Sequence, residues 1–353
     1  MTESGDRNDV TSNGEPPRTM TPTLEQVAAT AGVSRGTVSR VINDSPQVSP
    51  KAREAVRAAV AELGYVPNRA ARGLVTRRSD SVALAISESE TRVFAEPFFG
   101  GIVRGISRAL SEADIQLVLM LAQTAREHTR VERYARSGHV DGVLLISLHG
   151  DDPLPRSLAA SHVPVVVLGR PTSALTGVPY VDADNVSGTR TATQFLLGHG
   201  RNTVATVAGP QDMTVGIDRL EGYREALRAH RRPAHDLVEL GDFSQRSGEL
   251  AMQRLLTRQP DIDAVLAASD PMAAGALRAI RETGRRVPED IALIGFDDSE
   301  TATNTDPPLT TVRQPLDAMG REMTRLLLTQ IDGKTPEETS VVLPTELIVR
   351  AST

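Results

Sequence analysis

The sequence predicts an all-α head of three short helices, joined to an α/β body of two doubly wound parallel-sheet lobes. Three observations carry this prediction. Residues 23–64 hold three apolar patterns at helical spacing, each bounded by a cap or a stop signal. From Ser81 onward, short unalternated runs of Val, Ile and Leu take turns with amphipathic helical patterns, which is how strands covered on both faces of a parallel sheet read. A chain of 353 residues also exceeds what one core usually spans, so several folding units are expected.

Taken in order, residues 1–21 are polar and rich in turn formers, too poor in apolar groups to offset chain entropy, and are expected to form a disordered tail. The head spans 22–66. Leu24, Val27 and Ala28 share one helical face and stop at Gly32; Ser34 then stands as the N-cap of a second helix carrying Val38, Val41 and Ile42. A third helix starts with Pro50 in its first turn and runs through Val56, Val60 and Leu63 to Gly64. Residues 67–79, rich in Arg and short of apolar side chains, read as a hinge. In the body, 80–353, strands are predicted at Val82–Ile86, Ile115–Leu121, Val143–Ile146, Val163–Leu168, Val204–Val207, Ala264–Ala267 and Ile291–Ile294. Helices are predicted at Phe98–Leu110, Asn185–Leu197, Arg219–Ala229, Gly248–Leu256 and Met272–Thr283.

Charge separates along the same boundaries. The net charge of -6 argues on its face against a polyanionic partner, yet Pro22–Arg78 carries nine Lys or Arg against four Asp or Glu, a balance of +5. Residues 1–21 carry two against four, and Ser79–Thr353 carries 28 against 37. A basic head on an acidic body is the footprint of a nucleic-acid-binding module. Of the 39 basic residues only Lys51 and Lys334 are lysines, and Arg is the side chain suited to reading guanine.

Several classes are excluded. The absence of Cys removes disulfides, thiolate zinc sites, iron–sulfur clusters and cysteine nucleophiles. The seven His are scattered, no Gly-rich loop has P-loop spacing and no Ser sits in a nucleophile elbow, so no enzyme, no catalytic residues, no cofactor and no metal are expected. Met1–Met20 has no apolar core of a secretory signal and no run of about 18 apolar residues occurs, so a cytoplasmic protein without a membrane partner is expected.

The stretch Thr23–Asn43 reads as a helix-turn-helix: a helix ending at Gly32, a tight turn, and a second helix whose polar N-terminal face carries Arg35, Gly36, Thr37 and Arg40. This motif, the run Leu63–Ala71, the body motif Val287–Asp298, the Pro307–Val312 segment and the terminal Leu343–Arg350 together resemble the lactose-repressor (LacI) family of bacterial transcription regulators over essentially Thr23–Thr353. The resemblance implies that Arg35, Gly36 and Arg40 occupy base-reading positions, so that a G·C-rich half-site is expected. A mid-helix Gly36 departs from the usual pattern. Thr23, Ser34, Thr37, Ser39 and Asn43 would contact or position the duplex without reading sequence. In the hinge, Asn68, Ala71 and Leu74 would meet the minor groove, Leu74 as an apolar wedge.

For the body the resemblance extends to periplasmic sugar-binding proteins, with two lobes, three crossovers and a ligand between. It places 80–181 and 311–342 in one lobe, 182–310 and 343–353 in the other. Effector contacts are expected from Phe98, Phe99, Arg219, Ser269, Asp270, Phe296 and Asp297, with Tyr223 a further candidate for stacking. Asp182 and Asp184 read as crossover and helix cap in preference to a metal site. The runs Ser87–Phe99 and Ser147–Pro155 are similar to actinobacterial repressors of cellobiose utilisation. The implied protein is a homodimeric repressor of carbohydrate-utilisation genes on a palindromic double-stranded operator, answering to a small carbohydrate effector. A regulator answering to another sugar, a nucleoside or a purine corepressor, and a sugar-binding protein without a regulatory role, remain open at this stage.

Overall fold

The computed structural model describes residues 22–42, 44–66, 78–172, 177–231 and 237–353. Two compact units divide the chain, Met1–Val75 and Thr76–Thr353.

The first unit holds α1 (Leu24–Ala31), α2 (Arg35–Ile42) and α3 (Pro50–Leu63). Local chemistry sets each boundary. Thr23 closes a capping box on α1, its Oγ1 accepting from the Gln26 N–H at 3.3 Å while Gln26 Oε1 accepts from the Thr23 N–H at 2.7 Å. Gly32 ends α1 at φ 63°, where its N–H reaches back to the carbonyls of Ala28 and Ala29. Ser34 Oγ accepts from the Thr37 N–H at 3.1 Å and starts α2. The three helices bury Val27, Val38 and Val56 completely, with Val41, Ala59 and Tyr65 closing the cluster. Each such Val contributes about 1.5–3 kcal/mol, which a unit this small needs.

The second unit is the two-lobed α/β body. Its first part runs β1 (Ser81–Ile86), α4 (Glu90–Ala95), α5 (Pro97–Glu112), β2 (Gln116–Leu121), α6 (Ala125–Arg136), β3 (Gly142–Ile146), α7 (Leu154–Ala160), β4 (Val165–Leu168) and β5 (Tyr180–Ala183). Then follow α8 (Asn185–Gly198), β6 (Val204–Ala208), α9 (Thr214–Ala229), β7 (Val238–Leu240), α10 (Gln245–Arg258), β8 (Ala264–Ala267), α11 (Asp270–Glu282), β9 (Ala292–Asp297), α12 (Glu300–Asn304) and β10 (Thr310–Arg313). The chain ends with α13 (Leu316–Ile331), β11 (Ser340–Leu343) and β12 (Glu346–Ile348).

One sheet has the order β11-β5-β4-β3-β1-β2 and is parallel throughout. The other has the order β12-β10-β9-β8-β6-β7 and is parallel except where β12 runs against β10. In both sheets the strand order reverses beside the first strand, between β1 and β3 and between β6 and β8, and the crevice beyond such a reversal is where α/β sheets take ligands. Helix α13 returns from the second lobe to the first and lies against α5 at close range: a Cβ added to Gly320 would stand 2.7 Å from the Ile102 carbonyl oxygen. Met319, Met323, Leu326 and Leu327 of α13 thereby complete the core begun by Leu84, Ile102 and Ile106.

The chain crosses between lobes after Ala183, after Arg313 and after Leu343. The crossing expected at 310/311 therefore lies three residues later. Thr310–Arg313 is a four-residue strand paired to β9, with Val312 in the core of the second lobe, and nothing in its short sequence marks the end of that lobe. The hinge expectations on Asn68, Ala71 and Leu74, that on Asn43, and the tail expectation all fall outside the described residues. Among the described residues no helix is long and apolar enough to cross a membrane.

Candidate functional site

Two surfaces concentrate polar side chains of the candidate sites. The first is the start of α2. Ser34, Arg35, Gly36 and Arg40 are exposed, while Thr37 and Ser39 are half-buried. Arg35 Nη1 stands 3.2 Å from Glu25 Oε1, but both side chains are open to water, where such a pair holds little energy. The Arg40 guanidinium has no partner among the described residues. Ser34 and Thr37 share a hydroxyl–hydroxyl hydrogen bond of 2.9 Å, and Thr23 is spent on the α1 capping box, so these three serve the helix ends in the free protein. An exposed helix start with two guanidiniums on it suits a phosphate-lined groove by both dipole and charge.

The second surface is the cleft between the lobes of the body. It lies at the C-terminal ends of the strands and encloses about 1060 Å³ of empty space, its open mouth included. At its centre is Arg219 of α9. Buried against the ring of Phe296, 3.6 Å below its guanidinium carbon, it donates from Nε to Asn185 Oδ1 at 2.9 Å and from Nη1 to the Ala268 carbonyl at 2.6 Å. Nη1 also stands 3.5 Å from Asp297 Oδ1. Nη2 has no partner among the described residues. Burial pulls the Arg219 pKa below its ordinary value, opposed by Asp297, Asp182 and Asp270.

Asp297 ends β9 with φ 111°, and the next residue, Asp298, has φ 58°. These left-handed values turn the chain sharply at the strand end, a strain typical of functional positions. Asp297 Oδ1 accepts from Gln314 Nε2 at 2.6 Å, which leaves Oδ2 without a partner among the described residues. Burial raises the Asp297 pKa against the pull of Arg219 and Gln314. Asp182 is raised to about 6 by burial, opposed by the N–H groups of Arg170 and Ala183. Its Oδ1 holds Asn185 Nδ2 at 3.1 Å, so Asp182 positions Asn185, which in turn positions Arg219.

The cleft wall from the first lobe is largely apolar: Phe98 and Phe99 meet edge to face with centroids 5.3 Å apart, beside Leu148 and Leu168. Opposite them is Phe243 of the second lobe, at φ 71°, with the guanidiniums of Arg92 and Arg219 5.3 and 5.9 Å from its ring centre. A side chain at Gly209 would strike the Phe243 ring, so that glycine is what gives the ring its place.

Of the expected effector residues, Phe98, Phe99, Arg219, Ser269 and Asp297 line the cleft. Asp270 and Phe296 do not. Asp270 is fully buried, accepts from the Ser299 N–H at 2.7 Å and from Thr311 Oγ1 at 2.6 Å, and so ties α11 to β10 and to the start of α12. Phe296 is a core ring beneath Arg219, and Tyr223 is likewise core, its hydroxyl donating to the Val204 carbonyl at 2.8 Å. Asp270, expected from its place at a strand end, faces inward as a tie, and Phe296, expected as a stacking ring, sits one layer too deep. Asp184 caps α8 through the Ser187 N–H. Sequence reasoning missed Asn185, Phe243 and Gln314. For Phe243 a signal existed, a lone aromatic in a Gly-Asp-Phe-Ser turn, whereas Gln314 stands on a crossover with no pattern of its own.

Both the head and the body match known proteins. Residues 23–68 match the bacterial regulatory proteins of the lacI family, and residues 193–353 match the periplasmic binding protein-like domain. The chain is 56% identical over 337 residues to the HTH-type transcriptional regulator CelR of Thermobifida fusca, covering 94% of this chain and 98% of that protein. It is 34% identical to the ribose operon repressor of Halalkalibacterium halodurans, covering 94% and 97%. Among solved structures it resembles a transcriptional regulator CelR–cellobiose complex at TM-score 0.76 and 54% identity, over 94% of this chain and 100% of that one. It also resembles the lac repressor dimer bound to operator and the anti-inducer ONPF at TM-score 0.84 and 31% identity, over 94% and 99%.

Proposed function

The chain belongs to the lacI family of bacterial regulatory proteins, and from that premise we propose that it is a cytoplasmic, homodimeric repressor of carbohydrate-utilisation genes, released from a palindromic operator by cellobiose or a short cello-oligosaccharide. Catalysis has no part in this reading. The relatives that support it are regulators, one of them seen with cellobiose.

The observation that carries the ligand class is the charge state of the cleft wall. Each guanidinium that lines it is already matched by a carboxylate of the protein: Arg92 by Glu88 and Glu96, Arg170 by Asp218 at 2.6 Å, Arg219 by Asp297. A phosphorylated or acidic ligand would have to share a guanidinium already neutralised by the carboxylate beside it, where like charges repel. What the cleft offers instead, among the described residues, includes a donor without a partner, Arg219 Nη2, and an acceptor without one, Asp297 Oδ2, between aromatic walls. That combination fits a neutral ligand with vicinal hydroxyls and an apolar ring face.

Gln314 follows β10 at the same crossing that leads into α13, so one hydrogen bond joins Asp297 to the inter-lobe crossing, and a ligand held by Asp297 would reach the crossing through it. Binding that changes the angle between lobes is thereby transmitted along the chain, and coupling of the two sites is reciprocal. The test is fluorescence anisotropy of labelled operator DNA with the full chain, titrated with cellobiose, glucose and glucuronate. Release by cellobiose and indifference to glucuronate are expected. Tighter binding on adding cellobiose would replace induction by corepression, and indifference to all three would remove the sugar reading.

A further inference from the structure

We propose that His149 is the residue that fastens one lobe of the body to the other across the mouth of the cleft, and that ligand binding takes up a proton there. The proposal rests on the ligand reading above but concerns a residue outside the cleft wall, since Leu148 and Gly150 line the cleft and His149 does not. It is a positioning residue.

His149 follows β3 in the first lobe. Its Nδ1 lies 2.8 Å from Asp212 Oδ2, in the β6–α9 loop of the second lobe, and its Nε2 lies 3.0 Å from Glu88 Oε1, just after β1. The main chain repeats the link: the Gly150 N–H donates to the Asp212 carbonyl at 2.7 Å. A neutral imidazole has one N–H and one lone pair, so it can donate to only one of two carboxylates and turns its lone pair on the other. Only the imidazolium donates to both. The geometry itself therefore selects the protonated ring while the lobes are joined.

The surroundings support that state. Glu88 also accepts from Ser147 Oγ at 2.7 Å and from Arg92 Nη1 at 2.6 Å, and Arg92 Nε donates to Glu96 at 2.8 Å. Arg92 is thus balanced by its own carboxylates. Asp151 and Asp152 are the other charges of the His149 loop; Thr172 donates to Asp151 at 3.1 Å, and Asp152 accepts from Ser87 at 3.2 Å with His128 3.7 Å away. The His149 pKa is raised by its hydrogen bond to Glu88 and, against burial, by that to Asp212. Glu88 is lowered, its hydrogen bonds and Arg92 outweighing burial.

The sign follows from which contact is lost. Parting the lobes removes Asp212 from His149 and leaves Glu88, so the parted form holds the proton less firmly. A ligand that favours joined lobes then binds with proton uptake. Its affinity is greatest below the parted-form pKa and falls as pH rises through the joined-form value. A second inter-lobe tie joins Arg170 to Asp218 and to the Thr214 hydroxyl. Glu96, raised to about 7 by burial, and Asp182, raised to about 6 by burial, do titrate in the cleft, so the His149 share must be isolated by substitution.

The experiment has two arms. In the ligand-free full chain, the ring protons of His149 are titrated by NMR in the wild type and in Asp212→Asn. A lower midpoint in the variant is expected, most fully when the same titration is repeated with saturating cellobiose; the same midpoint in both chains with and without cellobiose would show that no clasp exists and would overturn the proposal. In the second arm, calorimetric cellobiose affinity is compared at pH 6 and pH 8. The wild type is expected to bind about three- to tenfold more weakly at pH 8, with proton uptake, and His149→Gln to lose most of that difference. An unchanged pH difference in the variant would also overturn it. If cellobiose binds at neither pH, the ligand reading fails and the ring titration alone decides the clasp.

Discussion

The head and the cleft hold their candidate functional side chains in opposite ways. On α2, Arg35 and Arg40 project into water, one held by a single exposed ion pair and the other by nothing among the described residues. In the cleft, Arg219 and Asp297 are buried, bonded to each other's neighbours, and part of what holds the second lobe together. A DNA-reading residue meets a partner that brings its own charges, so it can wait in solvent. A ligand-reading residue must keep its geometry in a dry crevice, where an unpaired charge is costly, and so it is supported from behind by the protein. Substitution should therefore separate function from stability in the head and fuse them in the cleft.

The largest effect is expected at Arg219. Replacement by Met leaves Asp297 buried without its cation and Asn185 without its donor, and should lower stability by about 3–5 kcal/mol while removing measurable sugar binding. Urea unfolding and calorimetry on the same preparation check both. Adding Asp297→Asn to Arg219→Met should recover part of the stability and none of the binding. A single variant that loses binding with an unchanged unfolding midpoint would break the contrast between the two regions.

A pH effect of the same origin comes next. Glu96 and Asp182 are raised by burial to about 7 and about 6, above the values of about 4 expected in the unfolded chain. The folded body therefore takes up these protons first. Their contribution to stability is fully present below about pH 4 and is lost as pH rises through 6 to 7, opposite to the usual paired carboxylate. Asp182→Asn should flatten the body's unfolding midpoint between pH 5 and 7.5, read by denaturant titration. A slope unchanged in the variant would mean that burial of Asp182 is already compensated by its N–H partners.

The same contrast explains what could be read from the sequence. All three head helices follow from caps, stops and apolar spacing, because a unit this small has no other means of setting its boundaries. In the body, every long apolar run became a strand, from Val82–Ile86 to Ile291–Ile294. The strands β5, β7, β10, β11 and β12 have three or four residues each and every one carries a polar or charged residue, whereas β4 and β8, as short, are wholly apolar and stand out. Helix α6 escaped because its charged run hides a two-residue core face, Val131 and Ala135. The cleft was legible only through family motifs. Arg219, Ser269 and Asp297 come together from strand ends and a helix far apart in sequence, and their spacing alone encodes nothing. The same motifs misplaced Asp270 and Phe296, since a motif marks a position along the strand and not the depth at which its side chain lies.

In the head, Arg40→Ala should weaken operator binding by about 1–3 kcal/mol, the worth of a bidentate grip on guanine, and leave the unfolding midpoint within about 0.5 kcal/mol. Arg35→Ala should behave alike, with its partner Glu25 simply returning to water. Binding isotherms on operator and on unrelated DNA separate base reading from phosphate attraction: a loss equal on both would make these guanidiniums charge suppliers only.

Gly36 gives the smallest and sharpest test. An added Cβ would meet only Ser34 Oγ, at the ordinary contact distance of 3.7 Å, so nothing in the free head requires a glycine there. Helix α2 forgoes some propensity by keeping it, less than the about 1 kcal/mol of a helix interior because Gly36 lies in the first turn. If exposed positions of the head answer to the partner and not to the fold, that loss has its reason in the duplex, where a bare backbone at the second residue of α2 can approach base edges closely. Gly36→Ala should then raise the thermal midpoint of the head and lower operator affinity, up to about tenfold, with binding to unrelated DNA unchanged. A variant that is both more stable and an equally good operator binder would place Gly36 outside the reading surface and leave Arg35 and Arg40 to do the discrimination.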